Sequence, residues 1–217
     1  MAANVTKDMT EGSPVKLILG FFIPMLCGLL FQQLYNMADT IIVGKCLGVK
    51  ALAAVGSTGS INFMIIGFCL GVCSGFAIPV AQKFGEKNEK ALRRFVANSA
   101  WLAILFSAVM TVTVCLLCRN ILELMQTPED IIDGAYSYIF VIFLGIPATY
   151  LYNLLSRTIR SLGDSTTPLI FLVFSSVVNV ALDFFTILVL KMGVSGAAWA
   201  TITAQAVSGI LCLLYMK

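Results

Sequence analysis

The sequence predicts an all-α polytopic membrane protein, a bundle of six transmembrane helices. Three observations lead there. The chain of 217 residues is 59% hydrophobic and only 12% charged, about half the charge of an ordinary soluble domain. Its mean hydropathy is +0.95. Apolar stretches of about 20 residues recur along it, each long enough as a helix to cross roughly 30 Å of hydrocarbon.

The first span is expected over 17–43. Before it, Ser13-Pro14 reads as a helix start, with the serine as N-cap and the proline at the first helical position. The run is too long and too polar for the h-region of a cleaved signal peptide. Pro24 falls inside it, where it removes a backbone hydrogen bond and permits a bend. The second span covers 61–81 and could start as early as 51. Gly67, Gly71 and Gly75 fall four apart there, a spacing expected to give a smooth face for close helix packing.

The third span is 97–118. It ends in Cys115-Leu-Leu-Cys118, which has redox-motif spacing but no thioredoxin-like pattern around it. Most of the seven cysteines sit in apolar runs, where cysteine acts as a small hydrophobe. The fourth, fifth and sixth spans are 136–155, 168–190 and 194–216. "RSLGDSTTP" (160–168) reads as a polar turn. With no repeat and no long linker, residues 1–16 are expected to form a cytoplasmic N-terminal segment and 17–217 the bundle.

Six spans put both termini on one side. Ten cations share that side: Lys7, Lys16, Lys83, Lys87, Lys90, Arg93, Arg94, Arg157, Arg160 and Lys217. Four lie on the other: Lys45, Lys50, Arg119 and Lys191. The positive-inside rule then places both termini in the cytoplasm. The formal net charge of +3 reflects this loop bias and does not suggest a nucleic-acid partner. The cluster from Lys83 to Arg94 is expected to lie against anionic lipid headgroups.

Of eleven acidic residues, only Asp39 and Asp183 fall within apolar spans, where a charge costs about 2.5–3.5 kcal/mol on insertion scales. Their helical neighbours are polar too. Gln32, Tyr35, Asn36 and Asp39 form one stripe at three- and four-residue spacing; Ser176, Asn179, Asp183 and Thr186 form a second. Thr201, Gln205 and Ser208 form a third. Three such stripes imply a shared polar interior. Counted by depth, Asp39, Asp183 and Thr201 all fall in the outer half of the bilayer. Carboxylates with amide and hydroxyl oxygens, in a chain without histidine, suit a hard monovalent cation or protons rather than zinc or copper. Two acids close together in a poorly hydrated pocket repel, so that at least one can take up a proton at physiological pH. That is what a proton- or sodium-coupled transporter requires.

"QQLYNMADTIIVG", "LGVKALAAVG", "RSLGDSTTPL", "NVALD" and "GVSGAAWATITAQ", in this order and spacing, resemble the N-terminal half of MATE (multidrug and toxic compound extrusion) transporters from about Glu11 onward. The resemblance implies one six-helix lobe of a twelve-helix transporter, and export of drugs or toxic organic compounds driven by inward Na⁺ or H⁺. No cofactor is implied beyond that coupling ion. The family's cation-site positions fall on Asp39, Asn179, Asp183 and Thr201. Gln32, Tyr35, Tyr138 and Asn153 match positions lining the lobe cavity, to which the stripe adds Asn36, and Pro24 matches the proline where the family's first helix bends. Such a chain is expected to be partial, its missing partner a C-terminal lobe; a homodimer of parallel copies ranks second.

Two other functions compete. A lipid-linked oligosaccharide flippase of the same superfamily would favour a cationic cavity, and no Lys or Arg lies well inside these spans. An intramembrane aspartyl protease would also need two membrane aspartates, and "SLGD" ending at Asp164 superficially resembles that family's second motif. Asp164, however, sits in a turn, and Asp39 and Asp183 lack the flanking motifs.

Overall fold

The computed structural model describes residues 13–217; Lys7 and most of the 1–16 segment lie outside them. Seven α-helices follow in chain order: α1 (Pro14–Leu47), α2 (Val49–Gly85), α3 (Glu89–Leu124), α4 (Ile132–Leu144), α5 (Ile146–Ser161), α6 (Thr166–Phe184) and α7 (Val194–Met216). A five-residue π-helical segment, Phe185–Val189, continues α6. Five helical segments are long and apolar enough to cross a membrane, and α4 with α5 makes a sixth, bent by 47°. The protein is a multi-pass membrane protein. Many large apolar side chains face outward, among them Phe63, Trp101 and Leu116, at 83%, 72% and 77% exposure. In water such a surface would aggregate; against lipid tails it is the expected outer face.

α7 packs against α4, α5 and α6; α5 also packs on α2 and α3; α1 lies against α6 and α2. The main apolar core runs from Val43 and Ile61 through Cys69 and Leu122 to Ile139, Phe143, Ile146 and Ala198. All seven cysteines are free thiols.

Three local expectations are corrected. Ser13 precedes α1 but makes no side-chain capping bond, and Pro14 starts the helix alone. The fourth span is two helices rather than one. Pro147 has no N–H to give to the carbonyl four residues back, and its ring crowds that carbonyl, so the chain breaks at Gly145. There the lack of a side chain also matters, because a Cβ would run into Ile202 of α7. Lastly, Gly67, Gly71 and Gly75 are exposed and nothing approaches them within 4 Å. The close helix approaches use Gly145, Gly196 and Gly209 instead, the last against Leu151 and the backbone of Tyr152.

The 160–168 turn is built from two adjoining motifs. Gly163, at φ +88, ends α5: its N–H donates to Arg160 O and the Asp164 N–H to Ile159 O, the Schellman pattern that needs a left-handed residue. Asp164 then caps α6. Its Oδ1 accepts from the Thr166 and Thr167 N–H groups at 3.0 Å each, and its Oδ2 accepts from Tyr215 Oη at 2.9 Å. Removing all three acceptor contacts with Asp164→Ala should destabilise the protein by about 1–2 kcal/mol. Asp164→Asn, which keeps an oxygen for the cap, should lose less. Thermal unfolding in detergent measures both, and equal melting temperatures for wild type and Asp164→Ala would remove the cap from the account.

Candidate functional site

Asp39 lies about two turns before the end of α1, and Asp183 is the penultimate residue of α6. Antiparallel passage through α7 brings Thr201, about two turns from its start, to the same level. The four residues singled out for cation binding are therefore assembled by three helices at one end of the bundle. Asn179 and Asp183 are fully buried and Asp39 is 9% exposed.

The Thr201 hydroxyl joins these helices. It accepts from Tyr35 Oη of α1 at 3.3 Å and from Asn179 Nδ2 of α6 at 3.5 Å, and donates to Ala197 O at 3.0 Å. The Asp39 and Asp183 carboxyls lie close enough to interact with each other. Tyr138 of α4 is buried and lies near both carboxyls and Tyr35. Four oxygens remain buried with no hydrogen-bond donor: Asp39 Oδ1, Asn179 Oδ1 and both Asp183 oxygens. Acceptors left unsatisfied in a membrane interior are costly. A proton between the carboxyls, or a hard cation among the oxygens, would satisfy the group.

One level deeper, Gln32, Tyr35, Tyr152, Asn153, Ser176, Gln205 and their neighbours line a small cavity of about 30 Å³, room for a water molecule. Thr149 bridges its rim, donating to Gln205 Oε1 at 2.6 Å while its own carbonyl accepts from Asn153 Nδ2 at 2.8 Å. Of the residues expected to line a substrate cavity, Gln32, Tyr35 and Asn153 thus share one space, and Tyr138 sits with the carboxyls. Asn36 stands apart. It is exposed and donates to Gln33 Oε1 at 3.4 Å, because it lies about 60° around the helix from Asp39.

Pro24 is half-buried, and α1 continues through it without interruption. Asp164, at the far end of α6, is about 28 Å from Asp183 at 1.5 Å per residue, so it takes no part in this site. Thr149 went unnoticed in the sequence, although its place one turn before Asn153 was there to read. The π-helical turn directly after Asp183 was also missed. There Leu190 N–H donates to Phe185 O, five residues back, and the Thr186 hydroxyl lies within reach of both Leu182 O and Asp183 O. Nothing in a run of Phe-Phe-Thr-Ile-Leu marks such a turn, which elsewhere accompanies functional sites.

Comparison with known proteins agrees with this architecture. The MatE family model matches residues 24–185. A probable multidrug resistance protein, YoeA of Bacillus subtilis (strain 168), is 31% identical over 217 residues, covering 98% of this chain and 47% of that protein. Crystal structures of MATE in a bent and in a straight conformation both superpose with a TM-score of 0.89. Identity is 28% and 27%, with 98% and 100% of this chain covered and 48% of each of those chains. The chain thus spans about half the length of the relatives it matches and corresponds to one lobe of the solved transporters. It belongs to the MATE family of membrane transporters, which are not enzymes.

Proposed function

We propose that this lobe serves a cation-coupled antiporter that exports drugs or toxic organic compounds across the cytoplasmic membrane. Asp39 and Asp183 are its coupling carboxylates, and Na⁺ or H⁺ is the coupling ion. The observation that carries this reading is the pair of buried carboxyls on different helices, surrounded by unpartnered oxygens. Asn179 and Thr201 supply neutral oxygens. The similarity to probable multidrug resistance proteins supports the substrate class.

The coupling follows from charge. With both carboxyls ionised and no cation between them, α1 and α6 repel at this level; a bound proton or Na⁺ removes the repulsion and lets α1 close against α6. The space beside Gln32, Tyr35 and Asn153 has room only for water when closed, so substrate contact there, and with Asn36 and Tyr138 nearby, needs α1 to move away, and Pro24 is where its helix has no hydrogen bond to break. That MATE structures have been solved in a bent and in a straight conformation supports a fold that changes shape. Cation and substrate then favour opposite states, and each weakens the other's binding by the same factor. The substrate is a small organic molecule, and the partner completing its path is a second, C-terminal lobe. Membrane lipids surround both.

Two expectations follow. Both termini face the cytoplasm, as the ten-to-four cation bias requires. On a background with the seven native cysteines replaced, a cysteine placed in 119–134 should react with an impermeant thiol reagent from outside and one in 83–94 should not; the reverse pattern would invert the orientation. In the complete transporter, Asp39→Asn and Asp183→Asn should each reduce gradient-driven efflux of a fluorescent cationic drug at least about tenfold, the loss of a charged hydrogen-bonding ligand. Membrane insertion should be undiminished, since neutralising a buried acid eases it. Asn179→Ala should be milder, because both charges remain. Near-normal efflux under an imposed Na⁺ or H⁺ gradient in both aspartate variants would make the carboxyls structural.

A further inference from the structure

A large cavity lies at the opposite end of the bundle from the carboxylates. It measures about 1120 Å³ and opens where the ends of α2 and α5 meet the starts of α1 and α3. One wall is apolar, with Phe21 and Met25 of α1 and Leu92 of α3; the other carries Arg157 and Arg160 of α5, with Arg93 and Lys83 at the rim. Glu89 and Lys87 also line it.

Arg157 and Arg160 are one helical turn apart, so they are neighbours on the same face. Both are only partly exposed, and the Nε of each is buried without a hydrogen-bond acceptor. Arg160 reaches across to α1, where its Nη2 would stand 3.8 Å from a Cβ on Gly28. Lys83, by contrast, is satisfied by Glu86 at 2.8 Å. Two like charges brought together and half desolvated oppose folding unless an anion joins them. Phosphate suits a pair of planar guanidinium forks, because it offers each fork oxygens to bind, whereas a carboxylate has only two to share.

We propose that this cavity is a binding site for a phosphate group carried on an apolar body, with Arg157 and Arg160 holding the phosphate and the Phe21–Met25 wall receiving the body. The level of the site fits, since both arginines lie in the last turns of α5, where a membrane-spanning helix meets the headgroup layer. The inference does not depend on the carboxylate site or on the coupling ion. The same chemistry has two sources, an anionic phospholipid or a soluble phosphate compound.

The test uses the full-length transporter purified in detergent, with phosphatidylglycerol, phosphatidylcholine and inorganic pyrophosphate as probes and native mass spectrometry as readout. Wild type should retain phosphatidylglycerol over phosphatidylcholine, and the Arg157→Gln/Arg160→Gln variant should lose about tenfold or more of that retention. Arginine-dependent pyrophosphate binding without lipid retention would support the same site and assign it to a soluble ligand. Should the double variant fail to fold, Arg157→Lys/Arg160→Lys keeps both charges and removes the forks, and Arg93→Gln removes charge from the exposed rim; each should weaken retention. Retention of every probe unchanged across the variants, or no binding of any of them by wild type, would overturn the proposal.

Discussion

The meeting of Asp39 with Asp183 is the contact around which the lobe is organised. Each acid is expensive in hydrocarbon, and together they are more so unless something sits between them. The structure shields them within four helices, α1, α4, α6 and α7, and uses the Thr201 hydroxyl to hold Tyr35 and Asn179 in place. Three of their four oxygens are buried with no protein donor. Stability and chemistry are therefore linked at this point, because the packing that hides the charges leaves them unfinished.

Two buried or half-buried charged pairs lie far apart along the bundle axis. The Asp39–Asp183 pair stands at one height and the Arg157–Arg160 pair, each with a buried Nε that finds no acceptor, at the other, with a layer of neutral amides and hydroxyls between. In the middle layer most groups find partners, as Thr149 does with Gln205 and Ser175 with Ala204 O. Polar contacts there specify which helices meet and at what height, whereas the Asp39–Asp183 and Arg157–Arg160 groups keep buried atoms without partners.

Much of this geometry was legible in the sequence because buried charge is conspicuous. Two aspartates in otherwise apolar runs, with polar residues at helical spacing, were sufficient to bring Asp39, Asn179, Asp183 and Thr201 together. The same spacing argument overreached at Asn36, since residues three and four apart spread over an arc and its edge can face outward. It failed at Gly67, Gly71 and Gly75, where small residues indicate that an approach is possible but not that one occurs. The α4–α5 break was written plainly in Gly145-Ile-Pro147, yet an unbroken count of apolar residues concealed it. The π-helical turn left no trace, because it depends on how the end of α6 meets α7 rather than on any residue type.

That turn alters the phase of the chain. A π-helical turn holds one residue more than an α-turn over nearly the same rise, so from Phe185 onward side chains point about a quarter-turn away from where an unbroken α6 would aim them. The orientation of Asp183 is thereby uncoupled from that of the connection leading into α7. Changes of length in the 190–193 connection can be absorbed as a gain or loss of this single wide turn, and the carboxylate upstream keeps its aim. In evolutionary terms the end of α6 is a place where the chain can lengthen or shorten by one residue without disturbing the site beside it.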